Sequence, residues 1–145
     1  MLNENFIGVW KLIPKGLKYS YSDGEISYPF GLNAMGQIIY TSNNQMSAQL
    51  MNPDRKCFGS SVIKEVTPEE ATEAFKGYMG YYGTYELDEK QGVVIHHVRG
   101  SYFPNWVGQD LKRYYAFSDN KLILTTFPIQ TFTRQLIVEL IWERE

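Results

Sequence analysis

The sequence predicts an all-β protein, an up-and-down antiparallel barrel of about 8–10 strands with one short helix, filling residues 1–145 as a single domain. Three observations carry that expectation. Apolar and polar residues alternate with a period of two over most of the chain. Turn residues cut the alternation at regular intervals, and the links between strands are mostly short. Aromatic residues reach 15%, with 8 Phe, 11 Tyr and 3 Trp, so many rings must be buried and many hydroxyl tips satisfied.

The elements follow in order. Phe6-Ile7-Gly8-Val9-Trp10-Lys11-Leu12 starts a first strand, and Leu17-Lys18-Tyr19-Ser20-Tyr21 continues or follows it beyond a break at Pro14-Lys15-Gly16. Ser22-Asp23-Gly24 is a turn, because Gly accepts positive φ and Asp caps the bend. Glu25 to Tyr28 is a short strand, and Pro29, Phe30, Gly31 and Asn33 mark a loop. Gly36 to Thr41 and Gln45 to Met51 form a hairpin across Ser42-Asn43-Asn44. Tyr81 to Leu87 pairs with Val93 to Tyr102, and Gly108 to Phe117 with Lys121 to Phe127 across Ser118-Asp119-Asn120. Gln135 to Trp142 is the last strand. The helix lies between the second and third of these groups. Thr67-Pro68-Glu69-Glu70 is a capping box with Pro at the first helical position. Ala71, Ala74, Phe75, Tyr78 and Met79 then share one face, and Gly80 is the expected stop. Tight links alternate with long ones, so one rim should carry hairpins and the other the helix and the decorated loops.

Composition excludes several functions. Hydrophobic residues make up 43% and charged residues 21%, which is not the balance of a disordered chain. Sixteen acidic residues against fourteen Lys and Arg leave a net charge of −2, so neither nucleic acid nor a membrane surface is an expected partner. Cys57 is the lone cysteine, which excludes an internal disulfide and a Cys-x-x-Cys metal pair. The opening Met1-Leu2-Asn3-Glu4-Asn5 lacks a basic leader region, so a cytoplasmic location is expected. No phosphate loop, dinucleotide fingerprint or Gly-x-Ser-x-Gly is present, and no cofactor and no metal are expected. Glu69, Glu70 and Glu73 form a solvated helix face, and Asp54-Arg55-Lys56 a solvated turn.

Phe6-x-Gly8-x-Trp10-x-Leu12 resembles the first strand of lipocalins. Further stretches extend the likeness: Tyr28-Pro29-x-Gly31, Gly36-x-Ile38-x-Tyr40-Thr41, Met46-Ser47-Ala48-Gln49-Leu50 and Phe75-x-Gly77-Tyr78. They continue with His96-His97-Val98-x-Gly100-Ser101-x-Phe103-Pro104-Asn105-Trp106-x-Gly108 and Trp142-Glu143-Arg144. Together they resemble the small, single-domain lipocalin-like domain family of bacteria and fungi. That resemblance implies a closed β-barrel with an internal cavity. It also implies that Trp10 packs across the closed end under an arginine from near the last strands. Position along the chain points to Arg134 for that partner, with Arg144 as the alternative. The resemblance closes the Trp10 end, whereas strand counting puts the helix and the Asn105-Trp106 loop at that same end.

Parity selects the residues that face inward. Tyr81, Gly83, Tyr85 and Leu87 share one side. Leu111, Arg113, Tyr115 and Phe117 share another, so Arg113 is either an anchor for an acidic group or turned outward by a bulge. His96 and His97 are adjacent, so one of them enters the barrel. Val94, His96 and Val98 make the more apolar set, and a four-residue loop at 89–92 sets Tyr85 opposite His96. An inward imidazole near a tyrosine is a general acid/base pair, an anchor, or a satisfied core histidine. In Phe103-Pro104-Asn105-Trp106-Val107-Gly108 a stiff loop either aims Asn105 and Trp106 at a ligand, or uses Trp106 as a plug and Asn105 to satisfy the loop's backbone.

These residues support three functions. The first is binding of a small, largely apolar or amphipathic molecule through Tyr40, Tyr85, His96, Asn105, Trp106, Arg113 and Tyr115. The second is a cofactor-independent isomerase, cyclase or lyase, with His96 or His97 moving a proton and Tyr85 or Arg113 polarising the substrate. The third is a protein-interaction domain using the helix rim, with a homodimer among its partners.

Overall fold

The computed structural model describes residues 4–145; Met1, Leu2 and Asn3, the start of the stretch read for a leader, lie outside them. Ten strands form one antiparallel sheet: β1 (Gly8–Tyr21), β2 (Ile26–Ser27), β3 (Met35–Tyr40), β4 (Gln45–Met51), β5 (Tyr78–Asp88), β6 (Val93–Ser101), β7 (Asp110–Ser118), β8 (Lys121–Thr126), β9 (Ile129–Gln130) and β10 (Gln135–Arg144). Eight of them are staves. β1, β3, β4, β5, β6, β7, β8 and β10 follow one another around the sheet, and pairing of β1 with β10 closes the barrel. β2 pairs only with β1 and β9 only with β10, so each is a two-residue flap.

β1 runs as one strand through Pro14-Lys15-Gly16. Lys15 takes φ +61° and the register against β10 shifts between Leu12 and Leu17, so the break is a bulge that bends a single stave. This corrects the direction of every later strand. Counting Glu25 to Tyr28 as a stave put the helix at the Trp10 end. With β2 a flap, Gly8 faces Tyr40 and Trp10 faces Arg144, so the start of β1 meets the ends of β3 and β10. The tight hairpins after β3, β5 and β7 share that end. The helix, the 102–109 loop and the 127–134 loop crowd the opposite end, together with the chain between β1 and β3.

The Trp10 end is packed shut. The Phe6 ring lies 5.1 Å from Tyr40, 4.8 Å from Tyr115 and 5.0 Å from Phe117, all edge-on, and Phe117 lies 6.1 Å from Trp10. Edge-on contacts of this kind add to the burial of the rings themselves. Trp10 Nε1 donates to the Phe6 carbonyl at 2.9 Å. The Arg144 guanidinium covers the Trp10 ring at 4.2 Å and donates to the Ile7 and Asn5 carbonyls at 2.8 and 2.5 Å. Arg144 therefore holds the place expected of Arg134. Arg134 lies a strand length away, about 30 Å along β10. There it sits over the Tyr21 ring at 3.5 Å and pairs with Asp23 at 2.7 Å and Glu25 at 2.5 Å. The reason is the strand count: with an even number of staves, the last one ends beside the first residue of β1.

Gly8 makes this closure possible. Its φ is +137°, and a Cβ there would stand 2.7 Å from Arg144 Nη1. Gly8→Ala is expected to cost on the order of 1–3 kcal/mol, read as a lower denaturant midpoint. In an Arg144→Ala background the same change should cost less, because the clash is gone.

The helix α1 (Pro68–Lys76) has the expected cap: Thr67 Oγ1 accepts from the Glu70 amide and the Glu70 side chain accepts from the Thr67 amide. It ends earlier than the apolar spacing predicts. Gly77 is the C-cap and its carbonyl accepts from the Asn52 amide at 2.8 Å, so Tyr78, Met79 and Gly80 join β5. No residue of α1 is buried. Its contact with the barrel mouth is Phe75, whose ring lies 5.1 Å from Tyr102. Among the described residues no helix is long and apolar enough to cross a membrane.

Candidate functional site

Between the aromatic plug and the open end lies a cavity of about 280 Å³. Leu17, Ile38, Leu50, Leu124, Leu140 and Trp142 supply its apolar wall. Tyr81, His96, Arg113 and Thr126 supply polar groups, and Tyr102, Phe103 and Trp106 stand at the mouth. The volume is just under the usual range for small-molecule sites, about 300–1,000 Å³. No Asp or Glu is in the lining.

His96 points inward and is 1% exposed. The strands place it there by register, since Tyr85 pairs with His96 across β5 and β6. The tyrosines that bond it come from elsewhere. The Tyr40 hydroxyl lies 2.7 Å from Nε2 and the Tyr81 hydroxyl 2.8 Å from Nδ1. Tyr85 instead donates to the Thr41 carbonyl at 2.9 Å, deep in the plug. Burial, the nearby Arg113 guanidinium and His97 push the His96 pKa down to about 3, so the ring is neutral at ordinary pH. A neutral ring has one donor and one acceptor nitrogen. Among the described residues the Tyr40 hydroxyl has no other polar partner. Leaving its buried proton unbonded is the costlier choice. We therefore assign the Tyr40 proton to Nε2 and an N–H to Nδ1, which donates to Tyr81. The Tyr81 hydroxyl then keeps its own proton for the cavity. His96, with both nitrogens occupied and so low a pKa, orients Tyr81 and is a poor proton carrier near neutrality.

Arg113 sits on the inward parity of β7, half-buried, and lines the cavity. Burial raises the Tyr81 pKa, and the Arg113 guanidinium beside that hydroxyl offsets part of the rise. Trp142, also in the lining, has a buried Nε1–H with no hydrogen-bond partner among the described residues.

A family model described as a lipocalin-like domain matches residues 7–145. The chain belongs to that family. It is also 30% identical over 87 residues to a 4'-hydroxy-3'-methoxypropiophenone carrier protein of Aspergillus oryzae, a match covering 56% of this chain and 78% of that relative.

Within this lipocalin-like barrel the candidates named from sequence divide by position. His96, Arg113 and Trp106 line the cavity. Tyr40, Tyr85 and Tyr115 do not; they build the plug with Phe6 and Phe117. Asn105 is exposed and outside the lining. The 104–106 segment is a 3₁₀ turn, in which successive side chains step round by about 120°. With Trp106 turned inward against Tyr81 at 5.8 Å, its neighbour faces solvent. The Trp106, Val107 and Gln109 amides bond carbonyls of the loop itself. The Gly108 amide bonds the Val98 carbonyl and the Phe103 amide the Ser101 hydroxyl, so none of them uses the Asn105 side chain. Sequence reasoning did not single out Tyr81 or Trp142 as polar cavity residues. Tyr81 shares the parity of Tyr85, and only the bend of the barrel decides which of the two reaches His96.

His97 faces the other way. Its Nδ1 lies 2.7 Å from Asp110 and its Nε2 2.8 Å from Glu86, tying β7 and β5 to β6 outside the barrel. The hydrogen bond to Asp110 is the main cause of a raised pKa. The folded state thus binds a proton that the unfolded state loses near pH 6.5. Its stabilisation is full below that pH and is lost as pH rises through the folded value. Wild type should exceed His97→Gln in stability at pH 5.5 by no more than about 1 kcal/mol, since the pair is solvent-screened. At pH 8.5 that margin should shrink; a margin that grows contradicts the ion pairing. Among the described residues, no cluster of His, Cys, Asp or Glu is arranged to hold a metal.

Proposed function

We propose that this protein binds and carries a small, largely apolar molecule with an aromatic or similarly flat body, held inside the barrel. The cavity carries this reading: it is closed by the Phe6–Trp10–Arg144 plug at one end and rimmed by Tyr102, Phe103 and Trp106 at the other. Its wall is mostly apolar, so an apolar body gains by leaving water there, at about 25 cal/mol per Å² of surface removed. The relative's printed ligand, a substituted aryl ketone, has that character and supports the same reading.

Titration with 4'-hydroxy-3'-methoxypropiophenone and related aryl ketones tests it, with tryptophan fluorescence as the readout because Trp106 and Trp142 line the cavity. Saturable quenching is expected, and Ala48→Phe, which places a ring in the cavity, should abolish it. A quench that survives this substitution, or none across the series, would overturn the proposal.

A further inference from the structure

The polar groups of the cavity are unbalanced. Among the described residues Arg113 donates from Nη1 to the Lys112 carbonyl at 3.1 Å and makes a side-chain hydrogen bond with the Tyr81 hydroxyl, which leaves most of the five N–H groups of its guanidinium unused. Among the described residues no carboxylate lies within ion-pair distance of it. By contrast Arg134 has two carboxylates, and Arg144 has two carbonyls and an indole face. Next to Arg113, the Tyr40–His96–Tyr81 chain ends in the Tyr81 hydroxyl, and with the tautomer assigned above its proton has no acceptor among the described residues. Trp142 adds a further N–H without a hydrogen-bond partner among the described residues. The lining therefore offers donors and a positive charge, and no carboxylate to receive a cation.

We infer that Arg113 and Tyr81 form a subsite for an anionic oxygen group, a carboxylate or a phenolate, so that the barrel takes small amphipathic acids. One anionic oxygen accepts from the Arg113 guanidinium and the Tyr81 hydroxyl, while the apolar body lies against Leu17, Leu124, Leu140 and Trp142. His96 is a positioning residue here, because it fixes the direction of the Tyr81 proton. A charged hydrogen-bond pair in a water-poor site is stronger than a neutral one. An amine meets the Arg113 charge and finds no carboxylate.

This inference rests on the cavity being a binding site, and two pairs of probes separate the two claims. The first pair is 4-phenylbutanoic acid and its amide; the second is 4-nitrophenol, held ionised, and 4-nitroanisole. Calorimetry at pH 8.5 on the wild-type protein is expected to show tighter binding of the anion in at least one pair, by about tenfold to a hundredfold. The pair showing the preference tells which anion the site takes. Arg113→Gln should remove the preference by weakening the anion far more than the amide or anisole, with an unchanged circular dichroism spectrum and denaturant midpoint showing that the variant is folded. Equal binding within both pairs, or a preference that survives Arg113→Gln, overturns the anion subsite and leaves the cavity reading standing. Binding of none of the four overturns both.

Discussion

Replacing Trp10 by alanine is expected to lower the unfolding free energy by about 3–5 kcal/mol. The indole is buried, its Nε1 satisfies the Phe6 carbonyl, and its face carries the Arg144 guanidinium. Removing it opens a void between Phe117 and the start of β1, strands a buried carbonyl and unseats Arg144 together. Trp106 is the control, the same residue type half-buried at the mouth. Trp106→Ala should cost well under half as much in stability and act mainly on probe binding. Denaturant unfolding of the two variants side by side decides it. If Trp106→Ala proves the more destabilising, the closed and open ends have been assigned the wrong way round.

His96→Leu is the second large effect. It leaves the Tyr40 hydroxyl without a partner in a buried site, at about 1–3 kcal/mol, and takes from Tyr81 one hydrogen bond while leaving it that with Arg113. Adding Tyr40→Phe should recover part of the loss, because the orphaned hydroxyl goes with it. The pH dependence is a separate signature. The His96 pKa falls from about 6.5 in the unfolded chain to about 3 when folded, so below pH 6.5 the unfolded state binds the extra proton. Stability is therefore full above pH 6.5 and is lost as pH falls towards 3, with a slope of up to about 1.4 kcal/mol per pH unit. His97 acts in the opposite direction, above pH 6.5. In His96→Leu the acid-side slope should flatten. An unchanged slope contradicts a buried neutral imidazole.

The alternation of Phe6, Trp10 and Leu12, of Tyr81 and Tyr85, and of Leu136 and Leu140 is enough to place strands and their inner faces, because parity is local. Whether a strand is a stave is not local. Glu25 to Tyr28 has the pattern of a stave, yet among the described residues only Ile26 and Ser27 pair and only with β1; counting it as a stave reverses the ends of the helix, the Asn105 loop and the arginine partner of Trp10. The 3.6-residue spacing of Tyr78 and Met79 similarly fits either a helix or the start of β5; the Asn52–Gly77 hydrogen bond decides it. The high tyrosine content has two uses that composition does not distinguish. Tyr40 and Tyr85 close the barrel, and Tyr81 and Tyr102 face the cavity. Parity marks all four as inward or nearly so. Depth along the barrel, which depends on strand stagger, separates them.

Under the proposed function a small molecule binds inside the barrel, between the plug and the Trp106 mouth. Intermolecular nuclear Overhauser effects from a bound aromatic probe to protein methyl groups test it most directly. Contacts to Leu17, Leu50, Leu124 and Leu140 are predicted, with none at the hairpins that follow β3 and β5. Contacts confined to the outer surface, such as the groove between α1 and the Arg55–Phe58 segment, would contradict it.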